Sequence, residues 1–154
     1  MDACRTCELV DRRDRGLAPR WDNIWRTPSW DVVHCDGTSV EGWLVLAARE
    51  HRSAIADVDD AAMLELGTLL KRASVALHEL LGCEKTYVVQ FAEHPLHPHV
   101  HFHVIPRLPN HSDAHKGPRV FDLLGLPDDE CVPEARRNEI SEGVAPYFSV
   151  GTSA

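Results

Sequence analysis

The sequence predicts an α+β domain, an antiparallel sheet of about five strands with one long helix packed on it and a second helix near the C-terminal end. Three observations carry this. Residues 58–81 repeat apolar side chains at helical spacing. Four short segments are β-branched, aromatic or alternate at period two. The long helix divides those segments two and two, unlike the regular alternation that builds a parallel sheet. The length of 154 residues suits one domain, 1–154, with enough chain to bury a core.

The elements follow in order. Residues 1–29 are mixed and turn-rich, and the run Asp11-Arg-Arg-Asp-Arg15 reads as a solvated surface. Trp30–His34 reads as a strand, Asp36-Gly37 as a turn, and Trp43–Ala48 as the buried partner strand beyond Gly42. In the helix, apolar residues at 58, 62, 63, 66, 69, 70, 73, 77, 80 and 81 form one face. Asp57, Asp59 and Asp60 suit its positive N-terminal end, and Gly82 suits its stop. His78 falls on its surface or edge. Lys85–Ala92 and His99–Ile105 read as strands, with Pro106 and Pro109 closing the second. Residues 107–132 are irregular, and Pro133–Tyr147 reads as a helix with Pro133 in its first turn.

Composition excludes several classes. A net charge of −8, from 16 basic and 24 acidic residues, lacks the basic footprint that polymeric nucleic acid demands. The longest apolar run, 43–48, is far too short to span a membrane, and the N-terminus has no signal-peptide core. Five cysteines without a secretory signal argue against a disulfide scaffold and point to the cytoplasm. A small anionic ligand fits better than any polymer.

Chemistry concentrates in histidine: five of the ten lie between His94 and His103. In His99-Val-His-Phe-His-Val-Ile105, period two places His99, His101 and His103 on one face and Val100, Phe102 and Val104 on the other. Neighbouring imidazoles are about 6.6 Å apart along a strand, so two can share a zinc ion. The outer pair, about 13 Å apart, cannot join them. The other chemistry open to such a strand is covalent. An imidazole attacks phosphorus at neutral pH if its far nitrogen is held protonated, and the middle residue has a neighbour on each side to position it. Arg107, Lys116 and Arg119 could add positive charge.

HVHFHVI resembles the His-x-His-x-His signature of the histidine triad family, and Pro106-Arg107 after it is common there. Upstream, Gly42-Trp-Leu-Val-Leu-Ala-Ala-Arg-Glu-His51 is similar to the family's second-strand segment, and the long helix follows where the family has one. The likeness covers residues 1–107. It implies a nucleotide hydrolase or nucleotidyl transferase acting at the α-phosphate of nucleoside 5′-phosphate derivatives, such as a dinucleoside polyphosphate or a phosphoramidate. His101 would be the nucleophile that forms a nucleotidyl-imidazole, His99 would support its ring through a backbone carbonyl, and His103 would donate to the phosphate. Cys35 and Asp36 fall where the family binds ribose. The likeness also implies a homodimer.

The sequence departs from the family at three places. Trp43 stands where a histidine is usual, and Pro95 and Leu96 replace a glutamine and a hydroxyl residue before the triad. His97, or failing that His94, could take over part of the leaving-group role, since an imidazole donates well to an anionic oxygen. Cys4-x-x-Cys7 is a modest zinc signal by itself. Bacterial relatives complete a Cys2His2 site with the histidine ending the second strand and the first triad histidine, positions held here by His51 and His99. The resemblance therefore implies one structural zinc on Cys4, Cys7, His51 and His99, closed by four protein ligands. By themselves Cys35, Cys83 and Cys131 read as ordinary scattered cysteines. Two rival functions remain open: a zinc-stabilised nucleotide-binding regulator with little turnover, and a hydrolase with a catalytic metal on two of the triad histidines.

Overall fold

The computed structural model describes residues 4–149. Its helices are α1 (Arg5–Asp14), α2 (Asp60–Leu81) and α3 (Glu134–Phe148), and its strands are β1 (Trp25–Arg26), β2 (Trp30–His34), β3 (Leu44–Ala48), β4 (Lys85–Val89) and β5 (His101–Arg107). The strands form one antiparallel sheet in the order β1-β2-β3-β5-β4. Strand β5 slots between β3 and β4, so the chain reaches the far edge through α2 before filling the middle.

One face of the sheet makes the core. Val32, Leu44, Leu46, Phe102 and Val104 point to α2, where Leu66, Leu69, Ala73, Ala76 and Leu77 meet them, and α3 adds Ile140, Val144 and Phe148. Trp30, fully buried, also donates its indole N–H to the Ala62 carbonyl at 2.7 Å, tying β2 to the start of α2. Helix α2 begins two residues later than its periodicity suggests, because Asp59 caps it by accepting from the Ala62 amide. Val58, just outside the cap, and Met63 both pack against the core. Gly82 ends the helix in the left-handed conformation (φ 63°).

The opposite face carries His101 and His103, level with Ala47 and Val45 on β3. At the far end of that face, Val40, Trp43, Ile105 and Val120 form a second apolar cluster, joined by Cys35, Phe121 and Leu124. The irregular 107–132 stretch is thus a cover built of short 3-10 turns, among them Gly117–Leu123. It is stitched to the β2–β3 loop: Gly125 and Leu126 both donate to the Gly37 carbonyl, and Val132 donates to Thr38.

Three expectations are corrected. The 11–15 run is not wholly solvated: residues 11–14 lie in α1, and Arg13 is buried, bonded to the Asp22 carbonyl and to the carboxylates of Asp22 (2.7 Å) and Asp31 (3.2 Å). Helical spacing puts Arg13 on the face of Thr6 and Val10, a face hidden from a reading of charge alone. The last strand is displaced to 101–107, so Pro106 lies within it. Arg107 bonds toward β4, so alternation turns the Pro106 nitrogen toward β3, whose pairing stops at Val104. Lys85–Ala92 pairs only as far as Val89; Ala92 has φ 55° and turns the chain back.

The β2–β3 loop hangs on a buried histidine. His34 donates from Nδ1 to the Cys35 carbonyl (2.7 Å), and its Nε2 accepts from the Gly42 amide (3.0 Å). A side chain at Gly42, φ 81°, would run into Leu81 and Leu77, so only glycine presents that amide. Burial pushes His34 down to about 4, and protonation would turn its acceptor into a second donor. The unfolded chain takes up this proton near 6.5, so stability is full above that pH and falls as pH drops toward 4. The full loss corresponds to about 3 kcal/mol from this side chain. His34→Gln should therefore lower stability at pH 7 and flatten the decline of melting temperature between pH 6.5 and 4, read by circular dichroism. An unchanged slope would assign that acid sensitivity to other groups.

Candidate functional site

The site begins just before β5. His99 is fully buried, and its backbone turns tightly, its amide donating to the His97 carbonyl at 2.8 Å. Its ring donates from Nε2 to the Ala48 carbonyl at 2.6 Å, which leaves Nδ1 unprotonated and aimed at Cys4, Cys7 and His51. Ligand atoms of these four residues all lie within 4.8 Å of one another. Cys7 Sγ stands 3.3 Å from His51 Nδ1 and 3.5 Å from His99 Nδ1, Cys4 Sγ is 3.6 Å from His99 Nδ1, and the two nitrogens are 3.2 Å apart. A tetrahedron with zinc bond lengths has nitrogen–nitrogen edges of about 3.3 Å and sulfur–nitrogen edges of about 3.6 Å. The four residues fit that ion. Burial, then the adjacent Cys4 thiol, holds Cys7 up at about 11, as expected for thiols that need a cation to ionise together.

His101 opens β5. Its Nδ1–H donates to the carbonyl of His99 at 2.6 Å, so Nε2 keeps its lone pair. Burial lowers its pKa, against the opposing pull of that carbonyl, which favours the neutral ring. His103, 5.0 Å away between ring centres, is buried. Its Nδ1 accepts from the indole N–H of Trp43 at 3.0 Å. Burial first, then His101 and His97, pushes it down to about 3. His97 approaches from the other side, its ring 6.3 Å from that of His101 and its Nδ1 2.9 Å from the Thr6 hydroxyl. Arg5 and Leu96 join the same two segments through the backbone at 2.8 Å. His94 is exposed, and its Nδ1 accepts from the Leu96 amide.

The residues picked out from sequence are therefore distributed as follows. Cys4, Cys7, His51 and His99 converge on one point, and His97, His101 and His103 line up beside it. Cys35 is half-buried in the apolar cluster, its thiol raised by burial, and it donates to the Asp36 carbonyl. Asp36 is exposed next to it and favours protonation of His97, against burial and the neighbouring imidazoles. The three cations do not gather at the triad: Arg107 pairs with Glu84, Lys116 with Asp113 and Arg119 with Asp122. Thr6, the Ala48 carbonyl and Phe121 were not legible as site residues. Phe121 lies edge-on to both His103 (5.2 Å) and Trp43 (5.4 Å), and only the folded cover brings it there.

Neutral imidazoles with one free lone pair and one free N–H, side by side, are suited to nucleophilic attack on an electrophile whose oxygens need a donor. At the level of sequence, no family model and no curated protein matches. Solved structures do. A histidine-triad-like protein involved in cell-cycle regulation from Bartonella henselae is 14% identical, covering 90% of this chain and 94% of that one with a TM-score of 0.67. A zinc-bound histidine triad family protein from Mycobacterium smegmatis is 17% identical over 95% of this chain and 93% of its own, with a TM-score of 0.64. A hypothetical histidine triad nucleotide-binding protein from Sulfolobus tokodaii is 12% identical, covering 92% of this chain and 91% of that one with a TM-score of 0.68. The chain has the fold of the histidine triad proteins.

Proposed function

We propose that the protein is a nucleotide hydrolase or nucleotidyl transferase that acts at the α-phosphate of a nucleoside 5′-phosphate derivative. One observation carries this: the His101 Nδ1–H bond to the His99 carbonyl, which presents Nε2 as a nucleophile. Nε2 attacks phosphorus, a nitrogen–phosphorus bond forms, and the bond to the leaving oxygen or nitrogen breaks with its electron pair leaving on that atom. His103 donates from Nε2 to a phosphoryl oxygen. Water then adds to phosphorus, the nitrogen–phosphorus bond breaks, and nucleoside monophosphate departs while the water's proton passes to solvent. On this reading Asp36, exposed beside Cys35, receives the ribose hydroxyls. A dinucleoside polyphosphate and a nucleoside phosphoramidate are both substrates of this kind. The exposed Pro95 and Leu96 offer no side-chain donor there, which favours the second reading, a nucleotide-binding regulator with little turnover.

His101→Ala should keep its fold and lose several orders of magnitude in turnover, as expected when a covalent nucleophile is removed. Acid quench of the wild type with a nucleoside phosphoramidate should yield a protein heavier by one nucleotidyl group, located on residue 101 by mass spectrometry. Turnover by His101→Ala close to that of wild type would sink the nucleophile. Tight nucleotide binding by a wild type without turnover would favour the regulator.

The same reading includes a zinc ion on Cys4, Cys7, His51 and His99. When bound, it supplies charge compensation and a fixed anchor; the His99 ring then holds the backbone that orients His101. Elemental analysis of tag-free protein should give one zinc per chain. Cys7→Ser should lower the melting temperature more than it weakens nucleotide affinity, and rapid chelation should cost stability before activity. Immediate loss of chemistry on chelation, with the fold intact, would point instead to a catalytic metal.

His97 completes the proposal as a donor to the leaving group, steadied by Thr6. His97→Ala should slow an alkyl phosphoramidate by about tenfold more than an activated aryl ester, since a poor leaving group depends most on a proton donor. Equal losses for the two would remove His97 from this role. The edge strand β4 leaves Val88 exposed, with Phe91 just beyond it, which supports a homodimer, and the cytoplasm is the proposed location.

A further inference from the structure

His101 and His103 are neighbours with opposite polarity. The first gives its Nδ1–H to a carbonyl; the second receives a hydrogen at Nδ1 from Trp43. An indole has one N–H and no acceptor, so Trp43 can only donate. Its partner nitrogen on His103 must then be without a proton, and the neutral ring carries its single hydrogen on Nε2. Trp43 is itself fully buried. Putting a proton on His103 Nδ1 would break the 3.0 Å bond and strand an indole N–H away from water. The rings around it hold the plane as well. Trp43 and Phe121 meet His103 edge-on at 5.7 and 5.2 Å, and Phe121 meets Trp43 at 5.4 Å, a closed triangle behind the imidazole.

We infer that Trp43 is a positioning residue: it locks His103 as a neutral donor from Nε2, bars it from acting as a base or a rival nucleophile, and leaves His101 as the one free lone pair of the pair. This inference rests on the function proposed above and assigns the stretch around Phe121 to the site as the wall that keeps both rings in place. It also accounts for a tryptophan where the sequence likeness has a histidine. A histidine there could donate, accept or pass a proton on; a tryptophan permits only the first.

The test has two arms on the full chain. In 15N-labelled wild type, nitrogen NMR should show His103 Nδ1 as the unprotonated, pyridine-like nitrogen and Nε2 as the protonated one. A through-hydrogen-bond coupling should join Nδ1 to the Trp43 indole nitrogen. A protonated Nδ1 in the resting protein would overturn the inference whether or not the protein turns substrate over. In the second arm, Trp43→Phe keeps an edge-on aromatic ring and removes only the N–H. With a nucleoside phosphoramidate, kcat should fall about 10–100-fold, the usual effect of losing a partner that orients a working imidazole. KM should stay within about twofold, because the donor acts mainly in the transition state. An unchanged kcat in a folded variant would also overturn the inference while leaving the His101 mechanism standing. Should the variant fail to fold, the resonances of the wild type decide alone.

Discussion

The site depends on His99 more than on any other residue, because it is held at three points and passes that rigidity on. Its ring is fixed by the Ala48 carbonyl on β3, its other nitrogen meets the cysteines of α1, and its own carbonyl receives the His101 Nδ1–H. A buried carbonyl that accepts a 2.6 Å hydrogen bond is a good tautomer selector only if it cannot move. The alternation of β5 alone does not secure it, since His99 precedes the paired part of the strand. What secures it is the long-range pairing of residues 4 and 7 with residue 99. That couples Cys4 and Cys7 to the geometry around His101.

Helix α1 carries a second load. Between Cys4, at its N-cap, and Cys7 lies Thr6, whose hydroxyl meets His97, and one turn beyond Val10 lies Arg13, locked to Asp22 and Asp31. Breaking one partner of such a buried group of charges costs about 3–5 kcal/mol, so the helix is anchored at its far end by a polar network. At its near end it is anchored by the cysteine–histidine cluster. Residues between the two anchors, Thr6 included, gain a fixed position without a large apolar face of their own.

Legibility from sequence followed the range of the interaction. The long helix, its stop at Gly82 and the split of residues 100–104 between core and triad are set by local spacing and appeared close to where spacing placed them, the helix start shifting two residues to its Asp59 cap. The triad and the cysteine pair were legible through residue types that have few uses other than chemistry. Arg13 was not, because a charge surrounded by charges carries no mark of burial. Thr6 was not, because a hydroxyl gains a role only from a partner that lies 91 positions away. Pro106 misled in the opposite direction. A proline ends a strand only where its nitrogen faces a partner, and here β3 has already ended. Trp43 was legible only as a departure; its hydrogen bond belongs to the pairing of β3 with β5.

The triad face is acid-averse in an acidic protein, and burial is the reason. His97, His101 and His103 are each lowered chiefly by loss of water, although the chain has a net charge of −8. Net charge acts through solvent and is screened; desolvation acts at the ring itself and wins. The consequence is a row of neutral imidazoles in which the direction of each hydrogen, rather than the amount of positive charge, distinguishes one residue from the next. Two of these directions are set by groups with a single role, a carbonyl that accepts from His101 and an indole that donates to His103; the Thr6 hydroxyl beside His97 can donate or accept. Each of the three comes from a different segment, and none of those segments would hold its place without the sheet pairing, the α1 anchors or the cover over Trp43. The chemistry available at this face is therefore a property of the tertiary fold, and the histidines alone, on an isolated strand, would not possess it.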